Sequence, residues 1–246
     1  MSKLIIYGKH SAKNVMDNPQ RQIEQIFCTK NTVDFIPEYL EHKISIVDKA
    51  GIEKYLQKNA IYNALHQDIV VITQSLHQPG LHEIIANSQL LVLLDELQDG
   101  QNIGAIMRSA ALFNAHAIIS TAHNSPDENS HILKTACGAF EHIPFIKVTN
   151  LSQTIKTLKQ NNFWLIGMSC NATESLHKIT KKFNANEKIA IVVGNEETGM
   201  RQSTEKNCDF LINIPTNQHR GVDSLNASNA AAIFLYEINK IFSLNC

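Results

Sequence analysis

The sequence predicts an α/β protein: a larger C-terminal unit built on a parallel sheet covered by helices, preceded by a smaller α/β unit. Three observations predict it. Beyond residue 89, near-continuous apolar runs alternate with helix-like segments, the pattern of strands buried on both faces of a parallel sheet. Before residue 77 the apolar runs are shorter and alternate with polar helical stretches, as in a small α/β unit. Between them, "SLHQPGLHEIIANSQ" places Pro79 beside Gly80, so residues 78–88 read as a linker joining units 1–77 and 89–246.

In the first unit the strand candidates are "LIIY", "QIFC", "ISIV" and "IVVIT", with a helical stretch over 49–59. In the second they are 89–97, 116–121, 143–148, 163–169, 188–193 and 209–215. Helix-like segments at 103–113, 130–138, 151–161 and 200–207 separate them, and a last helix runs from Ala227 to Phe242. Along 103–113 the apolar residues Ile103, Ile106, Met107, Ala110 and Ala111 form one buried face, with Arg108 at its edge.

Composition narrows the function. With 43% hydrophobic and 18% charged residues, the chain is ordinary globular material able to bury a core. A net charge of -1 excludes gripping nucleic acid by charge alone. The first thirty residues do hold five Lys or Arg against two acids, which by itself is an ordinary solvated face. The five cysteines are scattered without a C-x-x-C pair, so they read as reduced, mostly buried thiols, with no disulfide framework and no metal site. "MSKLIIYGKH" is too short in its apolar run for a signal peptide, and no stretch is long enough to span a membrane, so the expected location is cytoplasmic.

The chemistry concentrates in three turns at predicted strand ends, where open α/β sheets bind ligands. These are "DELQDGQNIGAIMRSA", "VVGNEETGM" and "IPTNQHRGVDSLNAS". Of ten glycines, Gly100, Gly104, Gly194, Gly199 and Gly221 fall in them, suiting a pocket lined by backbone. Three of the four arginines, Arg108, Arg201 and Arg220, are there too, suggesting positions that want a planar fork. "GNEETG" is neither a dinucleotide fingerprint nor a phosphate loop. Gly194 and Gly199 bracket Asn195, Glu196 and Glu197 in a loop able to offer main-chain groups to a heterocycle and a carboxylate to a polar neighbour; taken alone, it reads rather as an exposed acidic turn. Asn102 alone could be a helix cap, and Arg108 a surface ion pair. The cluster Asp223, Ser224, Asn226, Ser228 and Asn229 suits either an over-furnished helix cap or the wall of a site.

In this order the three turns resemble the three motifs of the SpoU family of RNA ribose 2′-O-methyltransferases, within the SPOUT superfamily. "QNIGAIMRSAALF", "VVGNEETGMRQSTEKNCDFLINIP" and "SLNASNAAAIFLYE" carry the likeness, and "ACGAFEHIPFIKVTNL" is similar to its rRNA-modifying branch. "IYGKHSAKNVM" and "LHQDIVV" resemble that branch's small ribosomal-protein-like RNA-binding domain. The resemblance implies a deep trefoil knot in the C-terminal domain, a homodimer, and S-adenosylmethionine as cofactor with no metal. It also implies methyl transfer to a ribose 2′-hydroxyl, of a guanosine in large-subunit rRNA. The implied cofactor-binding residues are Gly194, Asn195, Glu196, Gly199, Ile214 and Leu225. The implied catalytic residues are Asn102, Arg108, Glu196, Ser224 and Asn226, several coming from each subunit. A tRNA ribose methyltransferase, or a knotted RNA-binding protein without turnover, is the alternative. The chain departs from the family pattern at Gly100 (usually Pro), Asn114 (usually Gly) and Ala227 (usually Val). Its "TNQHRGVD" approach is also longer, which bears on cofactor geometry and substrate choice more than on the fold.

Overall fold

The computed structural model describes residues 3–216 and 225–243. By contacts the chain divides into two compact units, one of residues 1–77 with 128–141, the other of 78–127 with 142–246.

The first unit carries a four-stranded sheet in the order β1-β4-β2-β3: β1 (Lys3–Tyr7), β2 (Ile23–Cys28), β3 (Ile44–Ile46) and β4 (Ile69–Gln74). β4 runs antiparallel to both β1 and β2, while β3 lies parallel to β2. Helix α1 (Lys9–Asp17) buries Ala12, Val15 and Met16, and α2 (Lys49–Lys58) sets Ile52 and Leu56 against Val70. Arg21, counted by charge among a solvated N-terminal face, is in fact buried at 7% exposure. It forks onto Glu141 (Nε 2.8 Å, Nη2 2.6 Å) and reaches Glu128 at 2.5 Å. Burial opposes its charge, yet the hydrogen bonds and charges of the two glutamates hold its pKa above the ordinary value. This explains why 128–141 belongs here rather than with the residues flanking it: two carboxylates and the helix α5 (Ser130–Ala136) pack onto the N-terminal sheet.

The second unit has a seven-stranded sheet, all of whose paired neighbours are parallel, in the order β7-β6-β5-β10-β8-β11-β9. Its strands are β5 (Leu90–Asp95), β6 (Ala117–Thr121), β7 (Phe145–Val148), β8 (Phe163–Met168), β9 (Glu174–Ser175), β10 (Lys188–Gly194) and β11 (Phe210–Asn213). Every residue of β5 and β6 is buried, as a sheet covered on both faces requires. On one face Leu91, Leu93, Ala190 and Val192 join Ile155 and Leu158 of α6 (Leu151–Gln160). The other face is closed by α4 (Gly100–Leu112) and α9 (Ala227–Ser243), which pack together and bury Ile103, Ile106, Met107, Phe234 and Ile238.

Several expectations need correction. The segment read as a linker contains α3 (Leu81–Asn87), whose Ile85 joins the core of the second unit: the pair Ile84–Ile85 has apolar surface to bury. The helix expected at 200–207 is one turn, α8 (Gln202–Glu205), and β9 with α7 (Leu176–Thr180) was not expected. Among the described cysteines only Cys28 is fully buried; Cys137 and Cys208 are half-buried, Cys170 is exposed, and Cys246 lies outside the described residues. Asn114 follows α4 with φ of 57°, so the position where the family uses glycine keeps its left-handed backbone through a residue that tolerates it.

Candidate functional site

In the second sheet the chain leaves β5 toward β6 and β7 on one side, and β10 and β8 lie on the other. The strand order therefore reverses at β5, and the carboxyl ends of β5 and β10 flank the switch point, where open α/β sheets place their ligand crevice. Gly194, last in β10, is paired with Asp95, last in β5. The chain then makes a closed turn: Asn195 N–H donates to Gly199 O at 3.1 Å and Gly199 N–H to Asn195 O at 2.9 Å. The Asn195 side chain sets the turn's shape, its Oδ1 accepting from Glu197 N and Thr198 N and its Nδ2 donating to Glu96 O. Gly194 is required by contact, since a Cβ there would stand 2.3 Å from Met200 N. Gly199 is required by conformation, with φ of 71° and open space around it.

Helix α4 starts at Gly100, three residues earlier than its periodicity indicates, because Asp99 caps it: its Oδ1 accepts Gln101 N–H at 2.9 Å. Gly100 thus occupies the first helical position, where proline is favoured, which is why the usual Asp-Pro can become Asp-Gly. Since Asp99 is the cap, Asn102 is released from capping. It is 8% exposed, donates through Nδ2 to Glu196 Oε1, and accepts through Oδ1 from Asn226 Nδ2 at 3.0 Å. Asn226 caps α9 with its other atom, Oδ1 accepting from Ser228 N at 2.9 Å and Asn229 N at 3.4 Å. A continuous hydrogen-bonded line, Glu196–Asn102–Asn226, therefore joins all three motifs. Glu196 reaches Asn226 only through Asn102.

The other candidates fall as follows. Ile214, half-exposed, directly follows β11, and Leu225, 39% exposed, directly precedes the Asn226 cap. Arg108 is exposed, six residues beyond Asn102 on α4. Six residues of α-helix advance about 9 Å and turn about 240°, so Arg108 and Asn102 look out from different sides. Ser224, and nearly all of "TNQHRGVD", lie outside the described residues. Sequence reasoning did not find Asp95 and Glu96, which receive Arg201; the signal available was an acidic pair at a strand end and an arginine where lysine is the general rule. No helix among the described residues is long and apolar enough to cross a membrane.

Comparison with known proteins gives the family and the fold. The model of the "SpoU rRNA Methylase family" matches residues 89–236. The "23S rRNA (guanosine-2'-O-)-methyltransferase RlmB" of Coxiella burnetii is 34% identical, covering 98% of this chain and 97% of its own. The protein of the same name from Escherichia coli K12 is 32% identical, covering 95% and 96%. Among solved structures, the SpoU methyltransferase AviRb of Streptomyces viridochromogenes, in complex with AdoMet, superposes with a TM-score of 0.78 at 18% identity, over 97% of this chain and 89% of that one. An AdoMet-bound rRNA methyltransferase from Sinorhizobium meliloti does so at 0.79 and 19%, over 97% and 87%. The fold is thus shared with these structures; and with relatives above 30% identity along almost their full length and a family model matched across all the described turns of the site, the chain belongs to the SpoU rRNA methylase family.

Proposed function

We propose that the chain transfers a methyl group from S-adenosylmethionine to the 2′-hydroxyl of a guanosine ribose in large-subunit rRNA. The observation that carries the reading is the line Glu196–Asn102–Asn226, which gathers the polar groups of three distant motifs at the crevice. The guanosine and the rRNA rest on what the relatives' names say of them. The residues present fit the cofactor: the closed 194–199 turn offers backbone polar groups with open space over Gly199, and half-exposed Ile214 and Leu225 supply apolar surface. When bound, it supplies an electrophilic methyl group, so the chain has only to align and activate the hydroxyl.

Asn102 and Asn226, locked by each other, position the ribose, and Glu196 keeps Asn102 in one amide orientation. Arg108 forks onto the substrate phosphate and the nascent alkoxide and stabilises the developing charge, while the proton leaves to phosphate or water. A guanidinium in proteins stays protonated, so the role is electrostatic rather than that of a base.

In this reading the protein is a homodimer. On the packed pair α4 and α9, Leu112, one helical turn beyond Arg108, and Ile233 and Tyr236 are 70%, 40% and 50% exposed, with Tyr236 edge-on to Phe113. An apolar face of this kind suits a second copy, whose Arg108 would complete the line here. The C-terminal unit is read as knotted, in keeping with β10 inserted between β5 and β8, β11 between β8 and β9, and α9 returning against α4. The first unit is read as a ribosomal-protein-like RNA-binding domain, with Lys3, Lys9 and Lys30 exposed for phosphate contact, and the protein as cytoplasmic, where its substrate is.

The test is transfer from labelled S-adenosylmethionine into rRNA and tRNA pools from cells lacking this protein, with the product nucleoside identified. One 2′-O-methylguanosine in large-subunit rRNA is expected. Label in tRNA instead would replace the substrate, and no label in either pool would overturn the reading.

A further inference from the structure

Arg201 stands just beyond the 194–199 turn and binds two carboxylates at the end of β5. Asp95, against which it lies, is only 1% exposed. Both oxygens of that carboxylate are used by one residue: Oδ2 accepts Arg201 N–H at 2.9 Å, and Oδ1 accepts Nε at 2.8 Å and lies 2.7 Å from Nη2. Nη1 meanwhile reaches Glu96 Oε1 at 3.1 Å. Glu96 holds a left-handed backbone, φ 57°, which strains a side chain of its size. It persists because the turn grips it twice, through Arg201 and through Asn195 Nδ2 on its carbonyl.

The topology gives these contacts their meaning. Gly194 and Asp95 are partners across the β10–β5 ladder. The chain leaves the sheet at Gly194, runs through the turn, and comes back at Arg201 onto the very residue paired with its point of departure. Residues 195–200 are thereby a closed ring fastened at one level of the sheet, with Met200 pressed into the core between the two fastenings.

We infer that Arg201 is a positioning residue for S-adenosylmethionine: its fork onto Asp95 and Glu96 holds the 194–199 turn closed before the ligand arrives. The inference rests on the assignment of that turn to the cofactor. Phosphate is not the partner of Arg201, because two carboxylates against one guanidinium leave a net negative charge. A lysine cannot replace the fork, having one charged nitrogen for two carboxylates in different directions. Without the fork the turn opens in the free protein, and the ligand must close it. Affinity falls by the fraction of molecules still closed, while the rate at saturation stays.

The experiment uses the full chain and three proteins: wild type, Arg201→Lys, and Arg21→Lys, which cuts the comparable fork of the first unit. Hydrogen exchange at the Asn195 and Gly199 amides is read without ligand, the S-adenosylmethionine Kd by calorimetry, and KM and kcat on rRNA. Arg201→Lys is expected to speed exchange at both amides and raise Kd and KM about tenfold, with kcat within about twofold of wild type. Arg21→Lys is expected to lower the melting temperature and change none of these. If Arg201→Lys does not fold, Glu96→Gln, which leaves the buried pair intact, is expected to give the same changes at smaller size. Unchanged exchange, or an unchanged Kd, overturns the inference. A wild type that shows the exchange difference but binds no S-adenosylmethionine removes the cofactor assignment and with it the positioning role, leaving a structural clamp.

Discussion

Replacing Gly194 with alanine tests whether the closed turn, rather than any side chain, holds the cofactor. The added methyl would lie 2.3 Å from Met200 N, 2.4 Å from Gly199 C and 2.8 Å from Gly199 O. Carbon makes comfortable contact at about 3.5–4.0 Å, so the Gly199–Met200 peptide must retreat by about 1 Å. That peptide closes the turn, and its retreat breaks the Asn195–Gly199 hydrogen-bond pair. Two such bonds at about 1 kcal/mol each, with overpacking of about 1–3 kcal/mol, put the closed turn at a disadvantage of at least about 3 kcal/mol, or two decades in population. Titration calorimetry should then show S-adenosylmethionine binding weakened about a hundredfold in a protein that still melts cooperatively. Gly199→Ala is the internal comparison: nothing lies within 4 Å of its new methyl, and only the positive φ is penalised, by about 1–2 kcal/mol. Its loss should be the smaller. Wild-type affinity in Gly194→Ala would refute the reasoning, because the backbone turn would then not be the binding surface.

Four further outcomes are expected. Arg108→Ala should lose at least about a hundredfold in turnover and keep its S-adenosylmethionine Kd, measured by initial rates and calorimetry; unchanged turnover would remove Arg108 from the mechanism. Asn226→Asp keeps the acceptor that caps α9 but loses the donor to Asn102 and adds a charge near Glu196, so its melting temperature should hold while methyl transfer falls. Glu128→Gln in the first unit should leave stability at pH 7 equal or higher. Burial first, and Glu141 in addition, raise the Glu128 carboxyl pKa against the pull of Arg21. The folded state therefore keeps a proton that the unfolded chain has released, and stability declines as pH rises from the ordinary glutamate range through the raised value. Denaturant midpoints at acid and neutral pH should show that decline in wild type and a flatter profile in the variant, whereas Arg21→Met, which strands two buried carboxylates, should cost about 3–5 kcal/mol.

How far the sequence could be read depended on the range of the physics involved. The strands of the large sheet other than the two-residue β9 were legible because burial leaves them largely apolar, as in "LLVLL" of β5. Their ends were less so, since caps decide them: periodicity cannot see that Asp99 moves the start of α4 back to Gly100. What stayed hidden is held by pairs far apart in the chain. Arg201 and Asp95 are 106 positions apart, and Arg21 and Glu141 120. Nothing local to "DEL" distinguishes a buried clamp from an acidic turn, and nothing local to "AFEH" assigns it to the N-terminal sheet.

The polar cluster ahead of the last helix shows why such ambiguity can be genuine. Cap and site wall are competing readings only if one side chain has one function. An asparagine has an acceptor and a donor on the same carbon, and Asn226 spends them separately, Oδ1 on the first turn of α9 and Nδ2 on Asn102. Serine could cap but not span to Asn102 while doing so, and aspartate could cap but not donate. The same holds for Asn102, which accepts from Asn226 and donates to Glu196, so the line has a direction: a carboxylate at one end, which only accepts, orders each amide in turn toward the helix cap at the other. Exchanging any member for an isostere of the wrong polarity reverses one link and sets two like atoms face to face. That is a stronger requirement than capping imposes, and it accounts for amides at both positions.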